Sequence, residues 1–196
     1  MSTLITTNIQ GVQSVKYDAS NTAFTVGSDG TMTINQAPIQ KMIAFKAIAG
    51  SGPALSNGAV PLPYSNVTDT TVGCHNIGGH FNTSTYKFSI PRTGIYHFGH
   101  QLLAANMSDG DILEIYIKIQ DSDGSSNDEV LAVGARQKYQ PDETGHGGYM
   151  EGRCSTTGLF TAGKLVYFSA YRSGSTATLH TNSGWTFCFG YYMGSS

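Results

Sequence analysis

Six histidines, three cysteines and the acidic run "DSDGSSNDE", Asp121 to Glu129, are the side chains in this chain with the chemistry to hold a metal. Their spacing argues against it. His97 and His100 lie three apart in an alternating stretch, which sends them to opposite faces of a strand. "CHNIGGH", Cys74 to His80, has a loose ligand spacing and no second pair to complete a tetrahedral set. Asp121, Asp123 and Asp128 are candidate calcium ligands. The glycine of their run comes too early, however, and no glutamate falls at the twelfth position that a calcium-binding hand requires. A solvated hairpin tip is the expectation there. Covalent catalysis is no better served. No serine or cysteine sits on a strand-to-helix elbow, and no glycine loop cradles a phosphate. The few carboxylates fall in turn signals. We expect no enzyme, no catalytic residue and no cofactor.

What remains is contact chemistry. "YKFSIPRTGIYHFGH", Tyr86 to His100, places Tyr96 and Phe98 on one face of a strand, together with His100 and Leu102. Ile95, His97, Gly99 and Gln101 take the other face. Near the C-terminus, "WTFCFGYYM" puts Trp185, Phe187, Phe189 and Tyr191 on one face and Tyr192 on the other. With Phe168, these aromatics are read as core or as the axis of an assembly, since Tyr and Phe supply much of an interface's energy. "QKYQPDETGHGGYMEGR", Gln137 to Arg153, is the most polar and least regular segment. It is the candidate exposed binding loop, through Tyr139, Asp142, Glu143, His146 and Tyr149.

The elements that must position these residues are β-strands. Charged residues are only 12% of the 196, and glycine alone accounts for 24, against roughly 25% charge in an ordinary soluble domain. That is the composition of a turn-rich β protein whose surface is partly covered by copies of itself. A net charge of −2 with no basic stripe excludes nucleic acid as a natural partner. No apolar run approaches the roughly 18 residues of a membrane span, so no membrane insertion is expected. The start, "MSTLITTNIQGVQ", lacks a basic start and an apolar signal core. Three widely spaced cysteines, Cys74, Cys154 and Cys188, do not form a disulfide framework. They read as reduced thiols made in a reducing compartment.

Along the chain, residues 1–40 have little bulk and one hairpin signal: Ala23 to Val26, "GSDG", then Thr31 to Ile34. A segment this small cannot bury a core alone. It is expected to be an attachment or intertwining β segment, followed by a second domain over 41–196. In that domain "KMIAFKAIA", Lys41 to Ala49, reads as a strand and "SGPALSNGAVPLPYSN" as a loop. Strands follow near Gly79–Phe81, Tyr86–Ile90, Gly94–Ala104, Asp111–Gln120, Val130–Gln137, Gly148–Thr157, Lys164–Tyr171, Ala177–Thr181 and Gly184–Met193. So many short strands, with turn signals between them and no helical periodicity, predict an all-β antiparallel sandwich or jelly roll.

The order of these pieces resembles a known family. "HFNTSTYKFSIPRTGIYHFGH" (His80 to His100), "CSTTGLFTAGKLVYFSAYRSGS" (Cys154 to Ser175) and "WTFCFGYYM" (Trp185 to Met193) are similar to the globular head domain of complement component one-q and its tumour-necrosis-factor-like relatives. His100 stands where that family usually has an aromatic, and Gly190 sits slightly out of register with its glycine. The resemblance implies a jelly roll that assembles as a compact homotrimer around an aromatic, apolar axis. "NTAFTVGSDGTMTI" resembles the short "TaltVdssGnvtI" units of bacteriophage tail-fibre and other virion proteins. Together the two imply a phage virion component made in the host cytoplasm. It would be a trimeric knob on the head or at a tail-fibre tip, joined to other virion proteins through residues 1–40. A host cell-surface glycan or protein would be its target. The alternative is a soluble complement-type ligand-recognition module.

Overall fold

The computed structural model describes residues 14–16, 22–26, 32–33, 42–55, 60–124, 126–141, 148–173, 177–181 and 184–195. The chain divides into two compact units, Met1–Lys41 and Met42–Ser196. In the first, β1 (Ser14–Lys16), β2 (Thr22–Val26) and β3 (Met32–Thr33) form an antiparallel sheet in that order. The predicted hairpin appears as β2 paired with β3, Val26 opposite Met32.

The second unit begins with β4 (Ala44–Ala49), β5 (Tyr64–Asn66), a short 3-10 helix (Thr70–Val72), β6 (His75–Ile77), β7 (Phe81–Asn82) and β8 (Lys87–Ser89). It continues with β9 (Gly94–Ala105), β10 (Ile112–Gln120), β11 (Glu129–Val133) and β12 (Gln137–Lys138). β13 (Met150–Phe160), β14 (Leu165–Ser173), β15 (Thr178–Leu179) and β16 (Phe187–Gly194) complete it. Two of these strands lie in or just after what reads as a loop: β5 closes the Gly/Pro-rich stretch, and β6 pairs with β4 at Ala44, Phe45 and Lys46. Neither carries the alternation that marks a strand, because each borders β4 along only a few residues.

The strands form two antiparallel sheets. One runs β13-β9-β16-β4-β5, with β15 added to β9 and β6 to β4. The other runs β11-β10-β14-β8-β7, with β12 added to β10. Successive long strands alternate between them, β8 to β9 to β10 and β13 to β14 to β16, which makes the sandwich a jelly roll. The inward faces supply the core: Phe45, Tyr96, Phe98 and Leu102 from the first sheet, and Phe88, Leu113, Ile115, Ile117, Val166 and Phe168 from the second. Phe45 stacks on Phe81 and Phe88 at 4.7 and 4.9 Å, and Phe88 meets Phe98 edge-on at 5.7 Å. These rings fill the space between the sheets, and their burial is the main stabilising term.

The Pro-Arg-Thr-Gly corner between β8 and β9 is held by the Tyr96 hydroxyl, which donates to the Arg92 carbonyl at 2.8 Å. Arg92 in turn lies over the Tyr192 ring at 4.0 Å. The glycine here answers crowding rather than turn geometry. A Cβ at Gly94 would run into the Tyr192 ring and come within 2.7 Å of the Gly194 carbonyl. Among the described residues no helix is long and apolar enough to cross a membrane.

Candidate functional site

The outward face of the β13-β9-β16-β4 sheet carries the side chains that the core does not use. Alternation fixes which ones. On β16 the inward positions are Cys188 and Gly190, both small and buried, so Phe187, Phe189 and Tyr191 point away from the sandwich. Their neighbours follow from the register. Tyr191 lies beside His97 on β9 and Ala44 on β4, and Thr157 on β13 flanks His97 from the other side. Phe189 lies between Gly99 and Lys46, and Ser155 is beyond Gly99. Phe187 lies between Gln101 and Ile48, with Arg153 beyond Gln101. At one end the surface becomes aliphatic, with Leu159 opposite Ile95, and Met193 on the last residues of β16.

The stripe is ordered by ring packing. Phe187 and Phe189 are 6.3 Å apart between centroids, and Phe189 stacks on Tyr191 at 6.4 Å. The His97 ring sits 5.7 Å from Phe189 and 5.3 Å from Tyr191, and its Nδ1 is 2.7 Å from Thr157 Oγ1. Lys46 Nζ lies 4.9 Å over the Phe187 ring and donates to the Val72 carbonyl at 2.6 Å, so its charge is tied down at the margin. Gly99 leaves the dent in which the Phe189 ring rests; a Cβ there would collide with it. Next to the dent, Gly99, Gln101, Arg153, Ser155, Phe187 and Phe189 line a shallow cavity of about 350 Å³. Despite the packing, the face is open: Tyr191 is 41% exposed, Met193 57% and Leu159 60%.

Directly beneath, the inward face holds a row of three: Cys154, His100 and Cys188, in register across β13, β9 and β16. His100 Nε2 is 2.7 Å from the Tyr64 hydroxyl and Nδ1 is 3.2 Å from the Tyr116 carbonyl. The carbonyl can only accept, so Nδ1 carries the proton and Nε2 accepts from Tyr64. Burial pushes the imidazole down to about 3 and the Cys154 thiol up to about 12, and it raises Tyr64 and Cys188 as well. The ring is therefore neutral and the thiols are protonated. All three cysteines are free. Protonated, they are not nucleophiles.

The remaining sequence candidates fall elsewhere. Tyr96, Phe98 and Phe168 are wholly buried core residues. Phe187, Phe189 and Tyr191 are not core, and Trp185, just before β16, is 48% exposed. Tyr139 is also a correction. Far from being an exposed loop residue, it is 9% exposed, its hydroxyl accepts from the Gly148 N–H, and its backbone N–H donates to Asp111 O. An aromatic at the foot of a polar segment anchors the segment. Asp142, Glu143 and His146 lie outside the described residues. Tyr149 is exposed at 51%, its ring edge-on to His180 at 5.5 Å.

The acidic tip is filled by lysines instead of presenting open carboxylates. Asp121 pairs with Lys164 and Asn127, which hold its carboxyl below the usual range. Asp128 accepts from Lys118 at 3.4 Å and from the Tyr167 hydroxyl at 2.7 Å, and Asp123 accepts from the Ser126 N–H. Among the described residues no three His, Cys, Asp or Glu side chains gather where an ion would bind.

Sequence reasoning missed Lys46, Leu159 and Met193 as members of the outward face. The signal was present in β16 itself. Cys188 and Gly190, alternating with Phe187, Phe189 and Tyr191, are too small to fill a core, so the large side chains between them must face outward; Tyr192 alone reaches in from the end of the strand.

Solved structures share this architecture at low identity. Eiger TNF of S. frugiperda superposes with a TM-score of 0.61 at 13% identity, covering 80% of this chain and 96% of its own. Murine APRIL gives 0.56 at 12%, covering 78% and 100%. The globular domain of zebrafish complement 1qA gives 0.53 at 10%, covering 79% and 99%. The shared feature is the jelly roll. No family model and no curated protein matches the chain.

Proposed function

We propose that this chain is a structural and binding protein rather than an enzyme: a jelly-roll knob that works as a homotrimer, with the β16 face buried between copies. One observation carries the reading. Phe187, Phe189, Tyr191, Met193 and Leu159 form a continuous aromatic and aliphatic surface with charge only at its margins. Surfaces of that kind mark interaction sites, and charge-poor, aromatic-rich composition is what an interface core has. The trimer is the assembly that the complement-one-q-like resemblance implies. Residues 1–41, whose described residues form three short strands and which are too few to bury a core of their own, serve to attach the knob to a larger particle. The likeness of that segment to phage fibre units makes a virion the particle we propose, with a host-surface glycan or protein as target. The likeness of the fold to the globular domain of complement 1qA supports a second reading, a soluble ligand-recognition head.

The test is the native mass by light scattering. The intact protein is expected near three times 20.9 kDa. Phe189→Ser, which places a hydroxyl at the centre of the stripe, is expected to run as a monomer with an unchanged β spectrum. A wild-type monomer at micromolar concentration would sink the assembly reading.

A further inference from the structure

Where β13 leaves the aromatic face, the edge of the sandwich holds a second, larger cavity, about 570 Å³, lined by Ala135, Gln137, Tyr149, Met150, Glu151 and Arg153. Its volume falls in the range of small-ligand sites, roughly 300 to 1,000 Å³. Two glycines build it. A Cβ at Gly134 would come within 2.8 Å of both the Arg153 carbonyl and Ile115, and one at Gly152 within 2.9 Å of Ile115. Without side chains at these positions, the 134–137 segment and β13 close on Ile115. Gly134 is held there by its N–H, which donates to the Ile115 carbonyl at 2.8 Å. The groove is therefore a fixed consequence of the backbone.

Its chemistry is unlike that of the aromatic face. The walls are mostly polar. Arg153 pairs with Glu151, so one acid and one base cancel within the groove. The neighbouring cations turn away: Arg136 lies over the Tyr171 ring at 5.8 Å, and the Lys138 side chain packs by Gly110. Gln137 adds an amide that donates and accepts. Tyr149 is half exposed, and its ring stands edge-on to His180. Among the described residues the groove's charges cancel, and paired donors and acceptors beside a half-exposed aromatic ring suit a ligand with many hydroxyls and a patch of C–H groups. It does not suit an apolar ligand or an anion.

We infer that this edge groove is a binding site for a neutral oligosaccharide, with Tyr149 stacking on a sugar ring and Gln137, Glu151 and Arg153 bonding its hydroxyls. All the lining residues come from one chain, and Arg153 also borders the cavity beside Gly99 on the aromatic face.

The test is saturation-transfer NMR on the full chain, with maltose, lactose and cellobiose as probes and glucuronate as the charged comparison. Transfer to ring C–H protons of at least one neutral disaccharide is expected, with none to glucuronate. Tyr149→Ala is expected to weaken binding roughly tenfold, while Tyr149→Phe keeps most of it. Gln137→Ala should also weaken it. Both side chains are exposed, so the variants are expected to fold, and their thermal melts check this. The inference fails if none of the three sugars receives transfer, or if Tyr149→Ala and Gln137→Ala bind like the wild type. The native mass of the same samples reports separately on self-association, so either idea can fail without the other.

Discussion

His100 is where burial and ionisation conflict most directly. It is wholly enclosed and accepts from Tyr64, and its pKa is pushed down to about 3 from 6.5. Its neutral form is the one that the fold accommodates. Above pH 6.5 both folded and unfolded chains hold it neutral. Below that the unfolded chain takes up a proton that the folded chain refuses, so stability falls as pH drops from 6.5 towards 3, by up to about 1.4 kcal/mol per unit. Urea midpoints at several pH values check this. The wild type should lose stability faster on acidification than His100→Gln, whose side chain does not titrate; parallel slopes would remove the argument. Gly190 is the second pressure point. An added Cβ there would meet the buried Phe98 and Phe45 rings, the latter at 2.7 Å. Gly190→Ala should cost about 1–3 kcal/mol through overpacking, read as a lower denaturation midpoint.

At the scale of elements, β16 divides its labour by parity. Small inward residues let the aromatic core close over it, and large outward residues build the open face. The turn from β10 to β11 shows another balance. Its carboxylates are met by Lys118, Lys164 and the Tyr167 hydroxyl, which cap the tip across both neighbouring strands. An ion would have to displace ammonium groups already in place. Millimolar calcium, enough to fill even weak extracellular sites, is therefore expected to leave the melting temperature unchanged, as is a chelator. A calcium-dependent rise would show that the lysines yield. These ion pairs are exposed and screened by solvent, so removing Lys164 is expected to leave the melting temperature nearly unchanged.

At the scale of the whole molecule, the chain divides at Lys41 into two compact units, to which the proposed function gives separate tasks. Among the described residues, the buried core cluster runs from Ile43 to Cys188, so a chain starting at Met42 is expected to fold, with a melting temperature and oligomeric state like those of the intact protein. The same truncation is expected to abolish attachment to particles. A truncated chain that unfolds would mean that the first unit contributes to the stability of the second. One that still attaches would move the docking surface onto the knob.

Alternation and turn chemistry were legible without coordinates. The tyrosine–phenylalanine face of β9, its opposite face of Ile95, His97 and Gln101, and nearly every strand follow from period-two patterning, because a strand's geometry is local. The hairpin of residues 22–33 was legible for the same reason. In β16 the small Cys188 and Gly190 mark the inward face, but the sequence could not say what would fill the space above them. That depends on Phe45 and Phe98 arriving from β4 and β9, far away in the chain, to fill the space above Gly190. Nor could it place Tyr139 inside, since its backbone N–H donates to the Asp111 carbonyl and its hydroxyl accepts from the Gly148 N–H, partners that only the fold brings near. The row Cys154–His100–Cys188 and the groove closed by Gly134 and Gly152 exist only through register between strands distant in sequence. Residue order sets the local period, and long-range pairing decides which face is covered and which is left for a partner.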